Sequence, residues 1–307
     1  MRTKTEPYGY QKKVIEQSAK KNIYALFMEQ GLGKTKVSID TATVMFDAKA
    51  IDGMLVLAPN GVAANWIINE LPAHCPIEHY LGFTWRSKKT KAYKKELEGF
   101  FLSESPFKVL AMNIEAIRTT DGNIVAQAFL KERKCLMIVD ESTIIKNVKA
   151  KQTKEAIKLG KLAVARRILS GTPIAQSPLD LWGQCQFLSP RALPHSSYTA
   201  FKNDFAHTLL ESHGGRVYEK ILGYKNLNKL SDSIRGFSVR LLKKDNLDLP
   251  PKVYQKEYVP LSKEQEKAYK ELKELALTMI EDGLVTTSAA VVLLIRLHQI
   301  TCGFVTD

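Results

Sequence analysis

Five short apolar runs recur along the chain, each continuous rather than alternating, with helical stretches between them. They are Ile23-Tyr24-Ala25-Leu26-Phe27, Gly53 to Ala58, Phe107 to Met112, Cys135 to Val139, and Arg167 to Ser170. A strand covered on one face alternates apolar with polar side chains, whereas a strand covered on both faces is apolar throughout. Such runs separated by helices imply βαβ units and a mostly parallel sheet packed between helices, so the fold class is α/β. Ligands of sheets like this bind beyond the carboxyl ends of the strands. Every chemically suggestive segment below falls at such an end.

The bulk numbers narrow the partners. With 307 residues, 45% of them hydrophobic and 25% charged, the chain has the make-up of a soluble globular protein. Its net charge of +13 favours a polyanionic partner, nucleic acid before an anionic membrane surface. A basic host proteome or a solvated lysine face is the blander account, and the latter also fits the stretches Lys88-Lys89-Thr90-Lys91 and Lys94-Lys95. Cys75, Cys135, Cys185 and Cys302 are scattered without a C-x-x-C pair, which suits a reducing compartment. His74, Cys75 and His79 lack a fourth metal ligand nearby. The polar start, Met1 to Gln11, is neither a signal nor a transit peptide. No run approaches the roughly 18 apolar residues of a membrane span. The expectation is a cytoplasmic monomer without membrane contact.

Gly31-Leu32-Gly33-Lys34-Thr35 lies between an apolar run and a helical stretch from Lys34 to Phe46. That is the setting of a phosphate-binding loop. Glycines let the backbone curl so that successive N–H groups point at phosphates, and the helix start adds its positive dipole end. Lys34 would reach the β- and γ-phosphates of ATP, and the Thr35 hydroxyl would ligate Mg²⁺. The full phosphate-loop pattern has glycine at position 28, where this chain has Met28. The run Leu136 to Val139 ends in Asp140-Glu141. A first carboxylate there would hold Mg²⁺, and a second would activate the attacking water. Ser170-Gly171-Thr172-Pro173 closes another run, and taken alone it reads as an ordinary turn.

Beyond about Gly236 the character changes. Leu249-Pro250-Pro251-Lys252 breaks the pattern, Val253 to Val259 alternates like a strand, and Ser262 reads as the N-cap of a charged helix to Glu281. A more apolar helix follows from Ser288 to Ile300. The expected division is a nucleotide-binding lobe over 1–236 and a linker with helices over 237–307.

The order of these segments resembles superfamily-two helicases and translocases, and within them the Swi/Snf family of double-stranded DNA translocases. Glu29-Gln30-Gly31-Leu32-Gly33-Lys34-Thr35 looks like that family's first motif, and Tyr10-Gln11 resembles its adenine-recognition element, which makes Gln11 the adenine reader. Ala58-Pro59-Asn60 with Asn65-Trp66 resembles its DNA-contacting segment. Asp140-Glu141-Ser142-Thr143, trailed by Lys146-Asn147, resembles the Asp-Glu-x-His motif. Thr143 stands where the family carries histidine, so the family's link from that histidine to the coupling motif is not carried over. Leu169 to Ile174 with Leu179 to Leu188 matches the coupling motif, centred on Ser170, Gly171 and Thr172. Arg240, Leu249 to Lys252, and Arg296 to Ile300 match the linker toward a second lobe. Gly223 to Asn226 and Leu247 to Pro250 look most like bacterial and phage members.

The resemblance implies a RecA-like lobe that binds ATP and Mg²⁺, meets double-stranded DNA through its phosphates, and works with a second RecA-like lobe carrying arginine fingers. No Gln-x-x-Gly-Arg-x-x-Arg segment of that lobe occurs here. The chain is therefore expected to be an N-terminal part that grips ATP but turns it over poorly. A strand-separating helicase, a non-catalytic nucleotide- or DNA-binding scaffold, and a restriction-system motor remain open alternatives.

Overall fold

The computed structural model describes residues 2–88, 90–213, 216–248, 250, 253–281 and 287–303. Two compact units emerge, Met1–Leu249 and Pro250–Asp307.

The strands are β1 (Ile23–Met28), β2 (Gly53–Ala58), β3 (Tyr80–Thr84), β4 (Phe107–Asn113), β5 (Cys135–Val139), β6 (Ala165–Leu169), β7 (Ala206–His213), β8 (Arg216–Tyr224) and β9 (Ser238–Leu241). The helices of the first unit are α1 (Gly9–Ala19), α2 (Lys34–Asp47), α3 (Ala63–Asn65), α4 (Leu71–His74), α5 (Lys91–Leu102), α6 (Thr120–Glu132), α7 (Lys151–Gly160), α8 (Leu181–Leu188), α9 (Tyr198–Phe205), α10 (Leu227–Arg235) and α11 (Lys243–Asn246). Seven strands form one sheet in the order β3-β4-β2-β5-β6-β1-β9, with every neighbouring pair parallel.

The continuous apolar runs have a direct cause in this sheet. Successive residues of a strand face opposite sides. Tyr24, Leu26 and Met28 enter one core with Val14 and Ile15 of α1 and Val37 and Ile39 of α2. Ala25 and Phe27 enter the other, with Phe129 of α6, Leu159 of α7 and Phe187 of α8. β2 and β5 divide in the same way, so an interior strand has no polar face. Their observed bounds coincide with the runs read from the sequence.

Two strands depart from that reading. β3 is half-buried along its length, and β9 is largely so, because they are the sheet edges and only part of each is covered. Neither writes an apolar run. β9 lies beyond Gly236 and pairs with β1 from Ala25↔Ser238 to Met28↔Leu241. The first unit consequently runs to Leu249 rather than stopping at 236.

After β2 the chain forms α3, a π-turn over Trp66–Glu70, and α4 in succession. Pro72 has no N–H to offer the carbonyl of Ile68, and the Leu71 N–H bonds instead to the Trp66 carbonyl. β7 and β8 form a separate antiparallel hairpin with an irregularity between His207 and Thr208.

Arg167 on β6 is fully buried. Its guanidinium donates to the carbonyls of Ser18 (2.6 Å), Lys21 (2.8 Å), Asn22 (3.3 Å) and Arg166 (2.8 Å). Burial pushes its pKa down to about 10. The cation is thus matched by the carbonyls that end α1 and begin β1, which anchors that connection to the sheet.

The second unit contains α12 (Lys263–Glu281) and α13 (Thr287–Thr301). Ser262 caps α12 as expected, its hydroxyl accepting the Gln265 N–H at 3.2 Å while the Gln265 side chain accepts the Ser262 N–H at 3.0 Å. Gln265 also donates to the Ile300 carbonyl at 2.9 Å, tying α12 to α13. The alternating segment from Val253 to Val259 forms no strand. Val253, Tyr254, Tyr258 and Val259 are all exposed, and alternation without a partner edge does not make a sheet. Lys89 of the basic stretch, and Leu249, Pro251 and Lys252 of the breaker, lie outside the described residues.

Candidate functional site

β1 delivers the chain to a loop in which Gly31 and Gly33 have φ of +82° and +78°. Only glycine adopts this left-handed region without strain. Gly33 also needs the missing Cβ for space, since one built there would lie 2.4 Å from Gln11 Nε2. Gln11 is buried on α1, with Nε2 donating to the Leu32 carbonyl at 3.0 Å and Oε1 accepting the Tyr8 N–H at 2.9 Å. The expected adenine reader thus sits against the glycine loop and fixes its curvature.

α2 begins at Lys34, whose Nζ donates to the Met28 carbonyl at 3.1 Å. Burial lowers the Lys34 pKa, Glu141 and Asp140 oppose that, and Arg240 and Lys243 reinforce it. Thr35 is half-buried in the first turn. Glu29 has a structural task, because its carboxylate accepts the Lys243 N–H at 2.8 Å at the start of α11. Gln30 is exposed, with its backbone N–H 3.4 Å from a Cβ built on Gly171.

β5 lies next to β6, and β6 next to β1, so the Asp140–Glu141 pair, the Ser170–Thr172 segment and the glycine loop emerge from three consecutive strands. Asp140 is buried, its Oδ2 accepting from Trp66 Nε1 at 3.1 Å and its Oδ1 from the Glu141 N–H at 3.0 Å. Burial raises its pKa, opposed by those two bonds and by Lys34. Glu141 takes φ +47° and ψ +59°, unusual for a side-chain-bearing residue. Burial raises its pKa too, with Lys34 opposing and Asp140 adding to the rise. A pair of carboxylates that resist ionisation beside a half-buried ammonium suits a hard cation ligated by oxygen.

The Ser170 hydroxyl accepts the Thr172 N–H at 3.1 Å, and Arg240 Nη1 donates to the Gly171 carbonyl at 2.8 Å. Pro59 and Asn60 follow the carboxyl end of β2, with Asn60 exposed. Asn65 is engaged within its own turn, donating to Glu70 at 3.2 Å and accepting from Asn69 at 2.6 Å.

Sequence reasoning did not find two members of this site. Trp66 was grouped with the DNA-contacting segment, yet it is buried and orients Asp140. Lys243 brings its Cε to 3.3 Å from a Cβ built on Gly31, placing a second ammonium over the glycine loop. The only local sign of either is Lys243 itself, a basic residue just beyond the edge strand β9 that carries Arg240.

The profile of the SNF2-related domain matches residues 11–303. The SWI/SNF chromatin-remodeling complex subunit snf22 of Schizosaccharomyces pombe is 28% identical over 262 residues, covering 82% of this chain and 14% of that protein. The SWI/SNF-related matrix-associated actin-dependent regulator of chromatin subfamily A-like protein 1 homolog of Caenorhabditis elegans is 30% identical over 234 residues, covering 75% and 30%. Among solved structures, the Sulfolobus solfataricus SWI2/SNF2 ATPase core in complex with dsDNA superposes with a TM-score of 0.60 at 25% identity, covering 97% of this chain and 58% of that one. The chain therefore spans only part of the length of these relatives. Its seven-stranded parallel sheet between helices is that of a RecA-like ATPase lobe. Sequence, sheet and relatives agree, and the chain belongs to the SNF2-related domain family.

Proposed function

We propose that residues 1–307 are the ATP-binding lobe of a DNA-dependent ATPase that moves along double-stranded DNA. The observation that carries this reading is the convergence of Lys34, Asp140 and Glu141 from neighbouring strand ends, with Ser170–Thr172 between them. The backbone N–H groups of Gly31 to Lys34 and the start of α2 cradle the phosphates. Lys34 exchanges the Met28 carbonyl for β- and γ-phosphate oxygens. The Thr35 hydroxyl and Asp140, held by Trp66, are the oxygen donors that would hold Mg²⁺. When bound, that ion neutralises the phosphate charge. Glu141, whose pKa burial raises, accepts the proton of the attacking water. The water oxygen bonds to the γ-phosphorus as the bond to the β-γ bridging oxygen breaks, and ADP leaves with that oxygen.

Arginines from a second RecA-like lobe complete the reaction in this reading. Such a finger contributes roughly 10³–10⁵ in rate, so residues 1–307 alone bind nucleotide but hydrolyse it poorly. DNA is held through phosphates by the basic surface, with Pro59, Asn60 and Ser170–Thr172 on the path between nucleotide and duplex. The bacterial or phage branch is supported only by Gly223 to Asn226 and Leu247 to Pro250. The relatives named above are eukaryotic and archaeal.

The test uses the full-length parent. ATP-dependent displacement of a third strand from a triplex, without unwinding of a duplex, is expected, and Lys34→Ala abolishes it. Efficient duplex unwinding makes the protein a strand-separating helicase instead. Full function in cells carrying Lys34→Ala makes it a scaffold.

A further inference from the structure

We infer that Gln184 is a positioning residue that ties the carboxylate loop to the coupling loop, through Ser142 on one side and Pro173 on the other. This rests on the ATPase reading above. Ser142 directly follows Glu141, and Pro173 directly follows Thr172. Both Ser142 and Gln184 are fully buried. The Ser142 hydroxyl lies 2.6 Å from Gln184 Oε1, and Gln184 Nε2 lies 2.7 Å from the Pro173 carbonyl and 3.0 Å from that of Asp180. The chemistry forces this orientation. Carbonyl oxygens only accept, so the amide nitrogen must face them, and Oε1 must then accept the Ser142 proton. Removing any member strands a buried donor or acceptor.

The surroundings make the link stiff. α8 lies so close to the carboxylate loop that a Cβ on Gly183 would sit 2.3 Å from the Ile145 carbonyl and 2.6 Å from that of Lys146. The Asp180 carboxylate accepts the N–H groups of Ala175 at 3.1 Å and Gln176 at 2.9 Å. Lys146 closes the ring, donating to Gln176 at 2.9 Å and lying 3.7 Å from Asp180. A shift of the loop bearing Glu141 therefore reaches the segment bearing Thr172 through the first turns of α8. Position 143, where the family resemblance places a histidine, is threonine here. The connection is made one residue earlier and by way of a helix.

The experiment compares ATP hydrolysis with and without duplex DNA in the full-length parent and its variants. Gln184→Leu and Ser142→Ala each lower the DNA-stimulated kcat by about tenfold. The KM for ATP stays within about twofold of the parent. The combined variant loses no more than either alone, because both cut the same link. Gln184→Glu is isosteric and supplies a second readout. Only its neutral acid can donate to the Pro173 carbonyl, so its DNA stimulation returns relative to the parent as pH falls. This variant and Ser142→Ala carry the test if Gln184→Leu folds poorly.

Stimulated kcat within about twofold of the parent in Ser142→Ala and Gln184→Leu, with Lys34→Ala inactive, overturns the link and leaves the ATPase reading intact. Parallel loss of stimulated rate, unstimulated rate and KM, without pH recovery in Gln184→Glu, reduces Gln184 to a packing residue and also overturns it. A parent with no DNA-stimulated hydrolysis removes the ATPase reading and this inference together.

Discussion

Replacing Gly33 by alanine tests how the glycine loop is seated on α1. Gly33 has φ +78°, where an alanine loses roughly 1 kcal/mol. The added methyl would also fall 2.4 Å from Gln11 Nε2, well inside van der Waals contact. That amide has no room to adjust, being 3% exposed and held at 2.9 Å by the Tyr8 N–H and at 3.0 Å by the Leu32 carbonyl. It must leave, forfeiting two hydrogen bonds of about 1 kcal/mol each. The substitution thus costs about 3 kcal/mol in all. Gln11→Ala forfeits the same two bonds without altering the loop, at about 2 kcal/mol. Because the amide can be lost only once, the double variant costs about 3 kcal/mol rather than 5, a coupling of about 2 kcal/mol. Urea unfolding read by tryptophan fluorescence measures this, since Trp66, Trp85 and Trp182 all lie in the first unit. Additivity of the two single variants within about 0.5 kcal/mol refutes the reasoning.

Four further outcomes follow from the same geometry. Trp66→Phe removes the donor at 3.1 Å from Asp140, a bond to a charged group worth roughly 1.5–3 kcal/mol. Calorimetry should show Mg²⁺·ATP affinity falling at least about tenfold while metal-free nucleotide binding holds. Lys243→Ala should weaken nucleotide binding by roughly three- to tenfold, more for triphosphate than monophosphate, with a shallower salt dependence. Unchanged affinity would place Lys243 outside the site. Arg167→Met removes the guanidinium's bonds to the carbonyls of Ser18 and Lys21 and leaves an apolar side chain against them. The expected loss is roughly 3–5 kcal/mol, read as a lowered Tm. Finally, burial raises the pKa of Asp140 and Glu141, so the metal-free site holds protons to higher pH than free carboxylates do. Mg²⁺ needs the ionised forms, so its affinity should fall as pH falls through that raised range, with protons released on binding in weakly buffered solution. Binding without proton release would contradict the raised values.

The interior strands were legible because burial on both faces leaves a mark in consecutive residues. β2 and β5 could be delimited from the apolar run alone. The edges could not. Ser238-Val239-Arg240-Leu241 is half covered at best, and it carries an arginine that turns back to the Gly171 carbonyl. A reader without the sheet sees a break after Gly236 and ends the lobe too soon. The reverse error occurs from Val253 to Val259, where alternation suggests a strand although no neighbouring edge is paired with it. Periodicity reports which faces are covered, and it is silent on whether a partner exists.

The site divides along the same line. Gly31 to Thr35 and Asp140–Glu141 are contiguous stretches at strand ends, so the chain itself displays them. The contacts that hold them are not contiguous. Gln11 reaches Leu32 across 21 positions, Ser142 reaches Gln184 across 42, and Trp66 reaches Asp140 across 74. One trace of such contacts survives in the sequence, namely a polar residue inside a largely apolar stretch. Lys108 in Phe107 to Met112, Arg167 in Ala165 to Leu169, and Gln184 in Leu181 to Leu188 all have this form, and all three are fully buried. Each finds its partners on a different element: Phe101 and Glu132 for Lys108, the end of α1 for Arg167, and the carboxylate and coupling loops for Gln184. A buried polar group without a partner would be costly, so its presence in an apolar run already requires a long-range bond. Which bond it is depends on the order of the strands, and that order is settled only once the sheet has formed.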